Sequence, residues 1–294
     1  MDQQSVAIIS TPVAVTTPQA AIDDQLIGIW LHGRSPHTQR AYAADVARLR
    51  ARTGKRLVAL TLADLQSFAD SVLELSPASQ YRALSAVKSL LAFGHRIGYL
   101  PFDVGSALRL PAVRGRLAER ILPEAVVHRM FSLEENERNR AILTLLYASG
   151  VRVSELCGLR WRELQENGDS AQITVFGKGG KTRAIRLPAS IGRQLRELRR
   201  KGDSGDQPIF RSRKKGGGLQ PTAVLRIVRR AAQRAGMDVA VSPHWLRHAH
   251  ASHALDRGAP IHLVQATLGH ASITTTGRYL HARPTDSSSR FLGL

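Results

Sequence analysis

The 294-residue sequence contains a single cysteine, Cys157. One thiol cannot build an internal disulfide framework, which fits a reducing, cytoplasmic setting and leaves Cys157 as a small helix-packing residue. No stretch of about 18 or more uninterrupted apolar residues occurs, so no membrane-spanning helix is predicted. The N-terminus has no Lys or Arg ahead of its mildly apolar stretch, Val6 to Val15, and so lacks the charged start of a signal peptide. No repeat at solenoid periods is present. Negative charge is also scarce: 23 Asp and Glu stand against 42 Lys and Arg, a formal net charge of +19. Such a charge opposes compaction unless a polyanion neutralises it. Without an apolar span, that polyanion is better read as nucleic acid than as an anionic membrane.

An apolar content of 43% is ordinary for a globular chain, and the length suits two domains. The basic excess is uneven. Residues 1–110 carry 11 Lys and Arg against 8 acids, whereas residues 111–294 carry 31 against 15. The C-terminal part therefore supplies most of the attraction for an anion.

Residues 1–21, rich in Thr, Ala, Gln and Ser, read as a mobile leader. A short helix is predicted at about 22–31. Ser35-Pro36 places an N-cap before a proline at the first helical position and opens a helix to about Thr53. Thr61 caps a second through about Leu73, and Ser76-Pro77 opens a third to about Ile97, stopped by Gly98. In that third helix Tyr81, Leu84, Val87 and Leu91 form an apolar stripe, while Arg82, Ser85, Ser89 and Arg96 line another face that suits a phosphate backbone or plain solvent. Residues 101–118 hold two prolines, two glycines and three arginines, a basic linker. Helices resume at 123–131 and 138–149, end at Gly150, and give way to a short helix with Arg152 and Glu155. A hairpin follows: Gln172 to Phe176, a Gly177–Lys181 turn, and Arg183 to Leu187. Helices are predicted at 189–201 and 221–236, separated by the basic loop Arg211–Gly218. Ser242-Pro243 opens a helix stopped by Gly258, 260–268 is another stopped by Gly269, and Ser272 caps the last. Trp245, Leu246, Leu263 and Leu268 are expected in the core.

Six polar residues stand out by order and spacing. His244 and Arg247 are three apart inside a helix start and share one face, where they can offer a ring nitrogen and a guanidinium to one phosphate. Arg152 and Glu155 share a face too, so Glu155 can hold Arg152 by a charge-assisted hydrogen bond. His270 follows a glycine-stopped helix, and Tyr279 comes nine residues later. Taken singly, a C-terminal tyrosine is usually packing and a His-x-x-Arg pair usually a helix surface. Two decoys fail. Gly180-Lys181-Thr182 looks like the end of a phosphate-binding P-loop, but Val175 occupies the first glycine position and a strand follows, not a helix. His248, His250 and His253 do not share one helical face and lack the His-Glu-x-x-His pattern of a zinc site. His253 is expected to be structural.

Together, Arg152, a hairpin lysine, His244-Trp245-Leu246-Arg247-His248, Leu268-Gly269-His270-x-Ser272-Ile273 and Tyr279 resemble the tyrosine recombinase (phage integrase) family over about residues 22–285, with 35–97 similar to its helical core-binding domain. The length is similar to compact Xer-like or transposon-type integrases. The resemblance implies a mainly α protein with a small β-sheet or hairpin in the C-terminal domain, forming a two-domain DNA clamp. Its parts would be a flexible leader at 1–21, a helical core-binding (SAM-like) domain at 22–104, a basic linker at 105–118, a catalytic domain at 119–286 and a tail at 287–294 that docks on a neighbouring protomer.

The implied chemistry is transesterification. Tyr279 would attack a phosphodiester, releasing the 5′-hydroxyl and forming a 3′-phosphotyrosyl link. Arg152 and Arg247 would stabilise the non-bridging oxygens, a contribution of about 3 kcal/mol per donor. A free phenol has a pKa of about 10, so its proton needs an acceptor. The resemblance assigns that to His244 and a phosphate contact to His270. Either Lys178 or Lys181 could protonate the leaving oxygen; the family pattern Gly-Lys-Gly-x-Lys-x-Arg selects Lys178. Lys181 and Arg183 then join Arg40, Arg82, Lys88, Arg211, Arg213, Lys214 and Lys215 as expected DNA contacts. The cofactor expectation is none, neither metal nor ATP. The expected partners are double-stranded DNA with specific recombination sites and three further copies in a tetrameric synapse, in a prokaryotic cytoplasm. Two alternatives use similar residues. A type IB topoisomerase would relax plasmids that lack any target site, and a non-catalytic accessory protein would form no covalent adduct.

Overall fold

Two Ser-Pro pairs set helix starts in the N-terminal half. The computed structural model describes residues 19–112, 117–167, 170–177, 180, 182–212 and 217–280. The chain divides into two units, Met1–Arg114 and Gly115–Leu294, each with its own core.

The first unit holds α1 (Gln19–Leu31), α2 (Pro36–Thr53), α3 (Leu62–Ser71) and α4 (Pro77–Arg96). Helix α1 takes in the last three residues of the expected leader, because Ala20 and Ala21 favour helix. The Ser35 hydroxyl accepts from Thr38 N–H at 3.3 Å and Ser76 from Ser79 N–H at 3.4 Å. Thr61 and Asp64 form a reciprocal capping box. The apolar stripe of α4 differs from the expected one. Leu84, Val87 and Leu91 are buried, but Tyr81 is 42% exposed and Leu90 is fully buried. The helix packs against α1, α2 and the 3-10 turn Val104–Ala107, which widens its buried arc beyond a single ridge. Part of the polar face is engaged within the unit, while Arg96 stays exposed. Ser89 accepts from the Trp30 indole at 3.2 Å, and Arg82 pairs with the buried Asp45.

The second unit holds α5 (Glu124–Ser132), α6 (Glu137–Ser149), α7 (Val153–Gly158), β1 (Leu164–Asn167), β2 (Ser170–Phe176), β3 (Thr182–Pro188), α8 (Ala189–Arg196), α9 (Pro221–Arg234), α10 (Pro243–Asp256), α11 (Ile261–Leu268) and α12 (Ile273–Gly277). The sheet is antiparallel in the order β1-β2-β3. Ala171, Ile173 and Val175 face the core opposite Leu187, Ile185 and Arg183. Strand β1 escapes prediction because Leu164–Asn167 shows no alternation of its own and is defined by its pairing to β2. Helix α8 stops at Arg196 rather than 201. Arg200 N–H donates to the Asp203 carboxylate at 3.0 Å, so a side-chain-capped turn replaces the last helical turn. Helix α6 runs through the centre, with Ile142, Leu143, Leu145 and Leu146 inaccessible. Leu246 and Leu268 are buried and Trp245 packs against the core, but Leu263 is 55% exposed because α11 buries only its Val264–Leu268 edge. A small separate cluster joins Ile121, Ala251, Val264, Leu268 and Tyr279.

Candidate active site

Gly150 is where the site begins. It ends α6 in the left-handed region, at φ 59°, and a Cβ there would lie 2.6 Å from Leu268 and 2.9 Å from His250. Its carbonyl, left free by the end of the helix, accepts from Arg247 Nη1. Arg247 Nη2 donates to the Leu268 carbonyl at 2.7 Å. Arg247 is 1% exposed, and its Nε has no partner among the described residues. Burial, reinforced by the charge of Arg152, lowers its pKa to about 10, so it remains a cation at neutral pH.

Two residues after Gly150, Arg152 is the extended N-cap of α7. Glu155, one turn on, accepts from the Arg152 N–H at 2.7 Å and from its Nη1 at 2.9 Å. The holding role expected for Glu155 is thus present in the geometry. A third arginine joins them. Arg183 of β3 donates Nη1 and Nη2 to the two Glu155 oxygens at 3.0 and 2.8 Å, and its Nε to the Thr267 carbonyl at 2.8 Å. Burial disfavours the Glu155 carboxylate, but the bonds from Arg183 and Arg152 outweigh it and hold its pKa below the usual range. Two guanidinium groups therefore grip one carboxylate while Arg247 stands nearby on backbone carbonyls, an excess of positive charge suited to an anion.

The histidines follow from α10 and from the turn after α11. His244 and His248 are one helical turn apart, with ring centroids 4.3 Å apart. Partial desolvation of its ring, with the charges of Arg247, Arg152 and Arg120, holds His244 below the usual histidine range, although the residue keeps exposed surface. His248 is buried, and burial with the neighbouring charges of His244 and Arg120 lowers it to about 3. His270 follows Gly269, which closes α11 at φ 63°. Its Nδ1 lies 2.8 Å from Thr276 Oγ1, and burial beside Arg247 lowers it to about 4.

Tyr279 is 4% exposed. Its Oη lies 2.7 Å from His248 Nδ1, and its ring is parallel to that of His270 with centroids 6.4 Å apart. Burial raises its pKa against the lowering charges of Arg247 and Arg278. In this arrangement the phenol is neutral, and its hydroxyl partner is His248, not the expected His244.

The structure thus gathers Arg152, Glu155, His244, Arg247, His270 and Tyr279 around the Gly150 and Leu268 carbonyls. Lys178, Lys181, Arg213, Lys214, Lys215 and the 287–294 tail lie outside the described residues. Arg40 is exposed on α2. Four other expected DNA contacts are engaged within the protein, Arg183 with Glu155 and the Thr267 carbonyl as above. Lys88 donates to the Ser106 and Leu108 carbonyls at 2.8 and 2.9 Å, Arg82 pairs with Asp45, and Arg211 bonds Gln207 at 2.7 Å and pairs with Asp203. In the sequence His248 has no expected catalytic role and figures only as a rejected metal ligand and as part of the family motif. Its spacing of four from His244 puts the two on one face of α10. His253 lies apart, with its Nδ1 2.9 Å from the Tyr147 hydroxyl. Cys157 is half-buried in α7, and burial pushes its thiol to about 11.

The profile of the phage integrase family matches residues 120–286, and that of the phage integrase N-terminal SAM-like domain matches residues 26–97. The chain is 38% identical to the tyrosine recombinase XerC of Xylella fastidiosa over 260 residues, covering 85% of this chain and 87% of the relative. It is 34% identical to the tyrosine recombinase XerD of Mycobacterium tuberculosis, covering 83% and 82%. Among solved structures, XerA recombinase aligns with a TM-score of 0.51 at 25% identity over 92% of this chain and 97% of that one. A lambda integrase dimer bound to a core site aligns with a TM-score of 0.73 at 18% identity, covering 92% and 97%, a likeness of fold. The chain belongs to the phage integrase family. Within it, the chain is a tyrosine-type site-specific recombinase similar to the Xer proteins.

Proposed function

We propose that Tyr279 is the nucleophile of site-specific DNA strand exchange and that Arg152 and Arg247 clamp the phosphate it attacks. The observation that carries this reading is the convergence of two arginines, His244, His270 and Tyr279 from four separate chain segments. The phenolic oxygen forms a bond to phosphorus as the 5′-oxygen leaves, giving a 3′-phosphotyrosyl link. The phenol's proton passes to a neutral histidine. The bond energy is kept in the covalent link, so rejoining runs the same step backwards.

Attack requires Tyr279 to leave His248, since the phenol is buried in the resting arrangement. His244 is the proton acceptor once the tyrosine reaches the phosphate, and its low pKa keeps it neutral for that task. His270 adds a hydrogen bond to the phosphate, and Lys178 protonates the leaving oxygen. The described arginines supply electrostatic stabilisation. Both units bind DNA, 22–104 as the core-binding domain and 119–286 as the catalytic domain. Four copies assemble on paired sites, as the lambda integrase tetramer does on a Holliday junction. The protein acts in the cytoplasm, where the DNA is; among the described residues no helix is long and apolar enough to cross a membrane.

The test is a nicked suicide DNA substrate that traps the covalent intermediate. Wild-type protein and Tyr147→Phe should give a protein–DNA band on a denaturing gel, and Tyr279→Phe should give none. A band that persists in Tyr279→Phe refutes the assignment.

A further inference from the structure

We propose that Arg183 is a positioning residue that aims Arg152 at the scissile phosphate through Glu155; the inference rests on the reading of Tyr279 and the arginine clamp above.

Its guanidinium is directed inward, with a side chain only 14% exposed. Nη1 and Nη2 form a two-pronged pair with Glu155, and Nε is spent on the Thr267 carbonyl. An arginine so engaged has little left to offer a DNA phosphate. What it does hold is the carboxylate that grips Arg152 at both its backbone N–H and its guanidinium. Glu155 alone, carrying one arginine on its own helix turn, could rotate with it. With Arg183 bonded to both oxygens, the carboxylate plane is fixed from the sheet side and Arg152 inherits that orientation.

A second observation points the same way. Gly269 lies against the same guanidinium: a Cβ there would come within 3.1 Å of Arg183 Nη1 and 3.3 Å of its Cδ and Cζ. The carbonyl of that glycine also receives Arg152 Nη2 at 3.4 Å. The glycine before His270 therefore leaves room for Arg183 while its backbone touches Arg152. Residues from β3, α7 and the α11 turn thus meet on one group.

A misplacement of about 1 Å in a reacting geometry costs on the order of a hundredfold in rate. Arg183→Gln should therefore slow single-turnover cleavage of the suicide substrate by about a hundredfold at saturating protein, with unchanged Kd for DNA. The diagnostic readout is a second substrate in which a methylphosphonate replaces the scissile phosphate. One non-bridging oxygen becomes an uncharged methyl, so the linkage no longer needs both clamp cations. On it, Arg183→Gln should cleave nearly as fast as the unmodified protein. Glu155→Gln should behave likewise, and the double variant should be no slower than the slower single one. Arg183→Lys, which keeps the charge but not the fork, should show the same rescue and covers the case in which Arg183→Gln does not fold.

Three results overturn the proposal. One is an unaltered cleavage rate in both Arg183 variants. Another is weaker DNA binding with a salt slope reduced by roughly one and a normal saturating rate, which makes Arg183 a phosphate contact. The last is an equal slowing on both substrates, the mark of a general loss of structure. Absence of a Tyr279 adduct in the unmodified protein is a different failure, that of the nucleophile assignment itself.

Discussion

Each unit of this protein buries one carboxylate between two arginines, and the two clusters behave in opposite ways. In the helical unit Asp45 takes single bonds from Arg48 and Arg82, whose side chains are 42% and 39% exposed. Burial outweighs those bonds, and the Asp45 pKa is raised. In the second unit Glu155 is gripped at both oxygens by Arg183 and again by Arg152, and its pKa is lowered. A third cation, Arg247, stands nearby and is held only by backbone carbonyls. The first cluster reads as a structural tie with its cations turned partly to solvent. The second keeps positive charge in excess and in fixed positions, which is what a reacting phosphate requires.

The contrast can be broken most severely at Arg247. Arg247→Ala should lower single-turnover adduct formation by about 10²–10³-fold, whereas Asp45→Asn, in the other cluster, should leave the rate per folded molecule unchanged. Equal loss in both variants would erase the distinction. A smaller effect is expected from paired glycines. Gly54 and Gly150 end their helices with φ of 63° and 59°, but a Cβ at Gly54 meets nothing within 4 Å. Gly54→Ala should cost about 1 kcal/mol, from backbone strain alone. Gly150→Ala adds overpacking against Leu268 and His250 and should cost about 2–4 kcal/mol in urea unfolding. Equal costs would mean that the site's packing is looser than the structure implies.

The smallest expected effect is in the acid dependence of stability. Asp45 has a raised folded pKa, so the native state holds its proton longer than the unfolded chain. Its contribution is present below its ordinary value of 3.8 and is lost as pH rises through the folded value. Glu155 has a lowered folded pKa. Its contribution is present above its ordinary value of 4.5 and is lost as pH falls through the folded value. Asp45→Asn and Glu155→Gln should therefore change the unfolding free energy with opposite pH slopes across the acid range. Slopes of the same sign would show that the two clusters are electrostatically alike.

Much of this was legible in the sequence because the signals were local. Ser-Pro pairs and Thr61 announced helix starts, and Gly150, Gly258 and Gly269 announced stops. Spacing put His244 with Arg247 and Arg152 with Glu155 on shared faces, and the resemblance to the phage integrase family joined them with His270 and Tyr279 as one expected set. What could not be read depends on partners distant in sequence. Tyr81 continues an apolar ridge but lies where no neighbouring element covers it. Strand β1 exists through its pairing with β2. Arg183 was expected to reach DNA because it is an arginine in a basic hairpin, and nothing in the hairpin indicates that Glu155 waits opposite. His248 lies on the face shared by His244, yet only the fold brings the Tyr279 hydroxyl to it.

The inward grip of the arginines also bears on how the protein is made. Its contacts join residues far apart along the chain: Arg183 and Thr267 are 84 positions apart, Gly150 and Arg247 97, and Arg152 and Gly269 117. Contacts of such separation must overcome loop-closure entropy and form only when the tertiary structure closes. A chain still emerging from the ribosome has its first arginine long before the carbonyls, the histidines and the tyrosine that complete the set. The constellation is therefore completed late in synthesis, once the segments carrying Arg247, His270 and Tyr279 have been made and the tertiary structure has closed.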